Sequence, residues 1–473
     1  MVEKSYLPRL NEVGTQYRYI PRMLTLLFIA QGLVVISLIV RDGVTRRVEI
    51  ASARNLFLLG FVVFQSFSAA TAMATNRFGE VPVRTPISTG FIFFIMSSVA
   101  LVIFLKSWKK SKVAAFASRF PQRMDFKATN SLWIMCFLCL GFGLISKFVF
   151  AYIPVFGVLS AQLATGMFGA SVGLAAWQWS RSIFNPLTLT IFIGVALVVI
   201  AAMLSGAFGR RPLLTVMLVI GFAYYWRVAR HKDPRQIFIR AAILLVITSI
   251  PLILFTAARK GSERDRSAGD FIKSVVTVQP ADVTKSVVSL LSGQDTAAHS
   301  MWILENMGKR YPHDHAHSVR YLLLHPIPRA YFPSKPDGLG HTMVKDAGIP
   351  KKPKNYTVGP GLIGHIWNDW PYLCLLIYPW LLGILVKFLD IVLIRFTDSA
   401  LPTILASVTM GQVVGLPRGE LGLFIFNGAS AFLGAYLAFR LGILLMPWIK
   451  KRIKRTGSQK KFQPWEEWSG NYN

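Results

Sequence analysis

Apolar residues run along this chain in stretches of about 18 or more, enough for a helix to cross a hydrocarbon core of roughly 30 Å. The stretches fall at 23–40, 56–74, 89–105, 132–150, 157–177, 187–204, 213–226, 239–257, 372–388, 401–416 and 421–446, with 213–226 the shortest. The pattern predicts an all-α polytopic membrane protein of about eleven transmembrane helices. It breaks once, from 258 to 369. There, Phe271, Val275, Val278, Val287, Val288 and Leu291 keep a helix-compatible spacing over 270–291, and a second helix is expected over 296–309. Pro312, Pro326, Pro328, Pro333, Pro336, Pro350 and Pro353 then exclude long regular structure. Three regions follow: 1–257 with the N-terminal spans, 258–369 as one large loop with short helices, and 370–473 with the C-terminal spans and a basic tail. The first stretch follows some twenty polar residues and lacks a small-residue cleavage site, so it reads as an uncleaved span. No internal repeat is visible.

Charge sets the expected orientation. Only 16% of residues are charged, yet the net charge is +30. Much of it lies in short connections: Lys106, Lys109, Lys110, Lys112, Arg119, Arg123 and Lys127; Arg227, Arg230, Lys232, Arg235 and Arg240; and Lys450 to Lys461 at the end. Basic clusters beside spans mark the cytoplasmic side, where they meet anionic headgroups. With no aromatic platform interleaved among them, a nucleic-acid partner is not expected. Counting spans from these clusters puts 75–88, 206–211, the large loop and the turn Pro417-Arg418-Gly419-Glu420 on the opposite face. It also puts the N-terminus there, against the run of Lys4, Arg9, Arg18 and Arg22. The loop carries fifteen Lys/Arg against ten Asp/Glu and seven of the eight histidines. The cytoplasmic-side rule does not account for that excess, which suits an anionic ligand. The three cysteines lie in spans, so Cys136 and Cys139 read as packing residues rather than a metal pair.

Five groups could carry chemistry. Gly209-Arg210-Arg211-Pro212 opens a span, and two arginines at a helix N-terminus suit phosphate or diphosphate; an interfacial pair meeting headgroups is the plainer reading. Arg329 and Lys335 flank Tyr331 and Phe332 in a proline-rich run, and cations beside aromatic rings suit a phosphorylated sugar. The prolines pre-set the backbone that carries them. Pro312-His313-Asp314-His315-Ala316-His317, followed by Arg320, offers a possible base in His313. Water-exposed histidines are expected there rather than a metal site, because no CxxC, HExxH or Asp-x-Asp pattern supports one. Thr357 to His365 is glycine-rich and would place His365 at the membrane edge. Arg418-Gly419-Glu420 is a charged turn between spans, the kind of place that marks a site or a salt-bridged interface.

The proline-arginine run with Pro-x-Lys-Pro and the segment Gly359-Pro360-Gly361-Leu362-Ile363-Gly364 resemble the Wzy-type oligosaccharide repeat-unit polymerases of bacteria (O-antigen and exopolysaccharide polymerases). The Gly-Arg-Arg start of a middle span and the late Arg-Gly-acid turn resemble features of the same family. These motifs cover about 60 residues, and the span layout covers most of the chain. The resemblance implies a GT-C-like membrane fold in the bacterial inner membrane. It implies transfer of a glycan from undecaprenyl diphosphate to a growing acceptor at the periplasmic face, with a chain-length regulator and a flippase as further partners. Arg210, Arg211, Arg320, Arg329, Lys335, Arg418 and Tyr331 would bind diphosphate and glycan, with His365, Glu420 and His313 as catalytic candidates. Many relatives carry an acidic residue where His365 follows Gly364, so the base could lie elsewhere. Neither cofactor nor metal is expected; the first loop on that face holds Glu80 but no Asp-x-Asp. Alternatives are an O-antigen ligase with the same donor, a lipid or oligosaccharide transporter, and a non-catalytic assembly protein.

Overall fold

The computed structural model describes residues 16–113, 116, 129–153, 157–204, 210–258, 277–349 and 356–459. Among these, helices form and no strand does. The helices are α1 (Gln16–Val44), α2 (Ala53–Thr75), α3 (Pro86–Lys110), α4 (Thr129–Phe148), α5 (Gly157–Trp179), α6 (Pro186–Leu204), α7 (Arg210–Arg227) and α8 (Pro234–Ala258). Then come the loop helices α9 (Pro280–Leu291), α10 (Thr296–Asn306), α11 (His317–Leu324), α12 (Leu339–Asp346) and α13 (Gly361–Asp369). The chain closes with α14 (Pro371–Arg395), α15 (Ala400–Ser407), α16 (Met410–Val413) and α17 (Leu421–Gln459). Among the described residues, eight helices are long and apolar enough to cross a membrane: α1 to α6, α14 and α17. α7 has a shorter apolar stretch, Leu213–Arg227, and α8 covers the expected run at 239–257.

One expected span is a shorter apolar stretch, Ala400–Val413. The run at 401–416 breaks into α15 and α16 and ends at Val413. Depth can be read along α2. Its N-terminus is capped by Asp390 near the end of α14, whose carboxylate accepts the amides of Ala53 (2.6 Å) and Arg54 (3.3 Å). The chain leaving α16 packs on Gly60, where a Cβ would overlap the Val414 carbonyl. It reaches Gln65, whose side-chain amide donates to the Pro417 carbonyl. Twelve residues of helix rise about 18 Å, roughly half the length of α2. The turn Pro417–Glu420 therefore lies about halfway along a span. The sequence pattern puts it between two spans, on the face opposite the basic clusters.

The loop reaches the same depth. Gly293 packs where a Cβ would meet the Val63 carbonyl at 2.5 Å, and the amide of Ala297 donates to Ser68 Oγ at 3.1 Å. α10 and α13 pack on each other, and α10 also packs on α2 and α3. Glu305 of α10 fastens this wedge to the start of α3. It accepts the amides of Arg84 (2.8 Å) and Thr85 (2.6 Å) and the hydroxyls of Thr85 (2.6 Å) and Thr89 (2.9 Å). These donors hold its carboxyl below the usual range in spite of partial burial. The second loop helix was expected over 296–309 and forms over Thr296–Asn306; of the first, only Pro280–Leu291 falls among the described residues.

Small residues let the spans close on each other. A Cβ on Gly166 of α5 would overlap the Ala431 carbonyl of α17, and one on Gly434 of α17 would overlap the Leu163 carbonyl of α5. Without a hydrophobic drive between helices in lipid, backbone contact of this kind supplies the packing energy. Cys136 and Cys139 are fully buried, and Cys136 Sγ lies 3.3 Å from the Ser171 carbonyl, as packing residues would.

Candidate functional site

Between the loop wedge and the spans lies a buried polar layer, built where three breaks in regular structure meet. The first is the π turn Val62–Phe67 in α2, a wider turn of a kind often found at functional positions. The second is the chain break at Pro417–Glu420. The third is the start of α13, where Gly361 takes φ +73° and a Cβ would sit 2.5 Å from Ser300 Oγ. Backbone amides at a helix start lack partners inside the helix. At α13 the turn supplies them: the Gly361 amide donates to the Arg418 carbonyl (3.0 Å) and that of Leu362 to the Pro417 carbonyl (3.1 Å).

His365, one turn into α13, is wholly buried. The Leu421 amide lies 3.2 Å from its Nε2 and can only donate, so Nε2 is the bare nitrogen. Nδ1 then carries the proton and donates to Ser318 Oγ at 2.8 Å. Burial first, and nearby His317 second, push its pKa down to about 3, while the Gly419 carbonyl pulls the other way. His365 is therefore neutral at physiological pH, and both ring nitrogens are engaged. The glycine-rich segment puts it in the protein interior. Glu420 is also buried. Its Oε2 lies 3.5 Å from His365 Nε2, and its Oε1 accepts the Gly340 amide in the first turn of α12. Arg418, half-buried, sets its guanidinium 5.8 Å from the Phe64 ring centroid. It also faces His299 of α10, whose pKa falls to about 4, mainly from burial, with Arg418 adding to the fall.

Asp369 and His299 belong to this layer, and the sequence reading singled out neither. Asp369 is wholly buried; its Oδ2 accepts the Ser318 amide at 3.0 Å and the Tyr378 hydroxyl. The constellation is not a nucleophile triad, because Asp369 binds the backbone of Ser318 and not His365, and Ser318 itself is buried. The spacing His365-x-x-x-Asp369, two polar groups one helical turn apart ahead of an apolar run, was the available signal.

The other predicted residues lie elsewhere. His313 packs on Trp367, ring centroids 6.2 Å apart. Trp367 is two positions from His365, about 200° around the helix, so His313 is on the opposite side of α13. The His313–His317 run is not simply exposed: His315 is, His313 is half-buried, and His317 is buried with Nδ1 2.6 Å from Asp314. Arg320 pairs with the same Asp314. Arg329 pairs with Asp337 and donates to the Lys335 carbonyl at 3.0 Å, and Lys335 Nζ donates to the carbonyls of His325 (2.6 Å) and Ile327 (3.1 Å). These cations and the exposed Tyr331 thus form a self-tied bend beyond α11. α7 does begin at Arg210, but the side chains of Arg210 and Arg211, and all of Gly209, fall outside the described residues. No group of three or more metal-ligating side chains occurs among the described residues.

Compared with known protein families, with curated proteins and with solved structures, the chain finds no match.

Proposed function

We propose that the chain is a membrane glycosyltransferase that joins oligosaccharide units carried on undecaprenyl diphosphate into a surface polysaccharide at the face bearing the large loop. The observation that carries this reading is the placement of a half-buried Arg418 and a buried Glu420 two residues apart on one backbone turn, between span α2 and loop helices α10 and α13. A guanidinium and a carboxylate on one turn, in a low-dielectric setting between loop helices and spans, suit an anionic leaving group with a nucleophile to be deprotonated. The acceptor hydroxyl oxygen would bond to the anomeric carbon of the donor sugar. The bond from that carbon to the diphosphate oxygen breaks, and the diphosphate keeps the electron pair. The hydroxyl proton passes to the Glu420 carboxylate, while Arg418 pairs with the charge that grows on the leaving oxygen. His365 acts here as a positioning residue: its bare Nε2 takes the Leu421 amide and fixes the end of the turn that carries Glu420. Arg329, Lys335 and Tyr331 would meet the glycan or its phosphate farther out.

Reconstitution with a lipid-diphosphate oligosaccharide tests the reading, and a product ladder distinguishes a polymerase from a ligase, which would transfer the glycan once to a different acceptor. The discontinuity at α15–α16, with chain ends near mid-depth, favours transport as a second reading, since discontinuous spans build transporter sites. Movement of the labelled lipid across a vesicle membrane without chain growth would select it.

A further inference from the structure

Helix α11 and the segment after it carry an apolar stripe that faces outward: Val319, Leu323, Ile327 and Tyr331, four residues apart, with Phe332 beside the last. Leu323 is 67% and Tyr331 64% exposed. The opposite side of α11 holds the buried His317 and Ser318 and crosses α17 at Gly422, where a Cβ would meet the Ser318 carbonyl at 2.7 Å. His325 continues the contact, its ring centroid 5.0 Å from that of Phe426.

Farther along α17, Leu433, Leu437, Leu441 and Leu444 are exposed, the face a spanning helix turns to acyl chains. Gly422, where α11 crosses, lies eleven residues or about 16 Å before Leu433 and on the same side of α17. Two further features fit lipid rather than water. Arg329, half-exposed, lies between Ile327 and Tyr331 and beside Asp337, at a position where a phosphate could compete for it. Lys335 Nζ also covers the carbonyls of His325 and Ile327 just past the helix end, groups that would be costly to leave bare near hydrocarbon.

We infer that this stripe is seated in the bilayer leaflet at the loop end of the bundle. Val319, Leu323 and Ile327 lie among acyl chains, Tyr331 sits at the headgroup boundary, and Arg329 reaches a lipid phosphate while Arg320 stays on Asp314. The inference does not depend on the glycosyltransferase reading.

The test uses the full chain in nanodiscs of phosphatidylethanolamine and phosphatidylglycerol. Nitroxide labels are placed through Leu323→Cys, Val319→Cys and Ile327→Cys. Leu433→Cys serves as the lipid reference and Lys309→Cys, at an exposed loop position, as the water reference. Power saturation should give the three stripe sites an oxygen-to-nickel-chelate accessibility ratio close to that of the Leu433 label and several-fold above that of the Lys309 label. A ratio matching the Lys309 label would mean the stripe faces water. Low accessibility to both reagents would mean that protein covers it. Either result overturns the inference.

Discussion

Acidification should open the loop wedge before it disturbs the spans. His365 and His299 are held neutral by burial, with pKa values down to about 3 and about 4. When the wedge opens and they meet water, they return to the ordinary value near 6.5. Between those limits the open state binds protons that the closed state refuses. The closed state therefore has its full stability above about 6.5 and loses it progressively as the pH falls toward 3 to 4. At pH 5 each histidine has lost about 2 kcal/mol, at roughly 1.4 kcal/mol per unit over 1.5 units. Taken as independent, the two sum to roughly 4 kcal/mol, on the order of a thousandfold in the opening equilibrium. Hydrogen exchange of the protein in nanodiscs at pH 7.5 and 5.0, with times scaled for the intrinsic rate, reads this directly. α10 and α13 should lose protection while α5, which carries no histidine, keeps it. Equal scaled protection of α10 and α13 at both pH values would refute the reasoning.

Three further outcomes follow from the site. Arg418→Ala should lower polymer formation by on the order of 10²–10³ with membrane levels unchanged, and Arg418→Lys should rescue only in part because an ammonium lacks the bidentate fork; wild-type ladders from the alanine variant would remove Arg418 from the chemistry. Gly361→Ala should destabilise the wedge by more than about 1 kcal/mol, through left-handed backbone strain and the close Ser300 hydroxyl, and should appear as faster exchange in α13; unchanged exchange would count against the packing described. Turnover of lipid-linked donor should survive EDTA, and activity lost on chelation but restored by a divalent ion would point to a metal site and away from arginine-assisted departure.

The spans were legible in the sequence because lipid imposes one rule, long apolar helices, that a single chain displays without relatives. The run at 401–416 broke the rule's simple use. It is apolar enough to span, but Gly411, Gly415, Pro417 and Gly419 let the chain stop halfway and meet α2 at Gly60 and Gln65. The depth that the loop reaches is not legible for a related reason. Polar composition predicts a loop on one face, whereas α10 and α13 are short helices that enter the bundle with Ser300 and His365 already paired: Ser300 Oγ to the Pro360 carbonyl (2.7 Å), His365 to Ser318 and Leu421. Local spacing could not show that Glu420 and His365, 55 positions apart, would lie 3.5 Å from each other, or that Arg329 would turn to Asp337 rather than outward. Asp369 was visible only as the last polar residue before a span.

The most direct test of the central claim is to supply the purified protein, in nanodiscs, with a synthetic undecaprenyl-diphosphate oligosaccharide and to follow both the glycan and the lipid. The account predicts lipid-linked chains growing by whole repeat units, one undecaprenyl diphosphate released per join, and loss of both signals in Glu420→Gln with the loop still folded by hydrogen exchange. Binding of the lipid with no chain growth and no diphosphate release, under conditions where the wedge is closed, would contradict it.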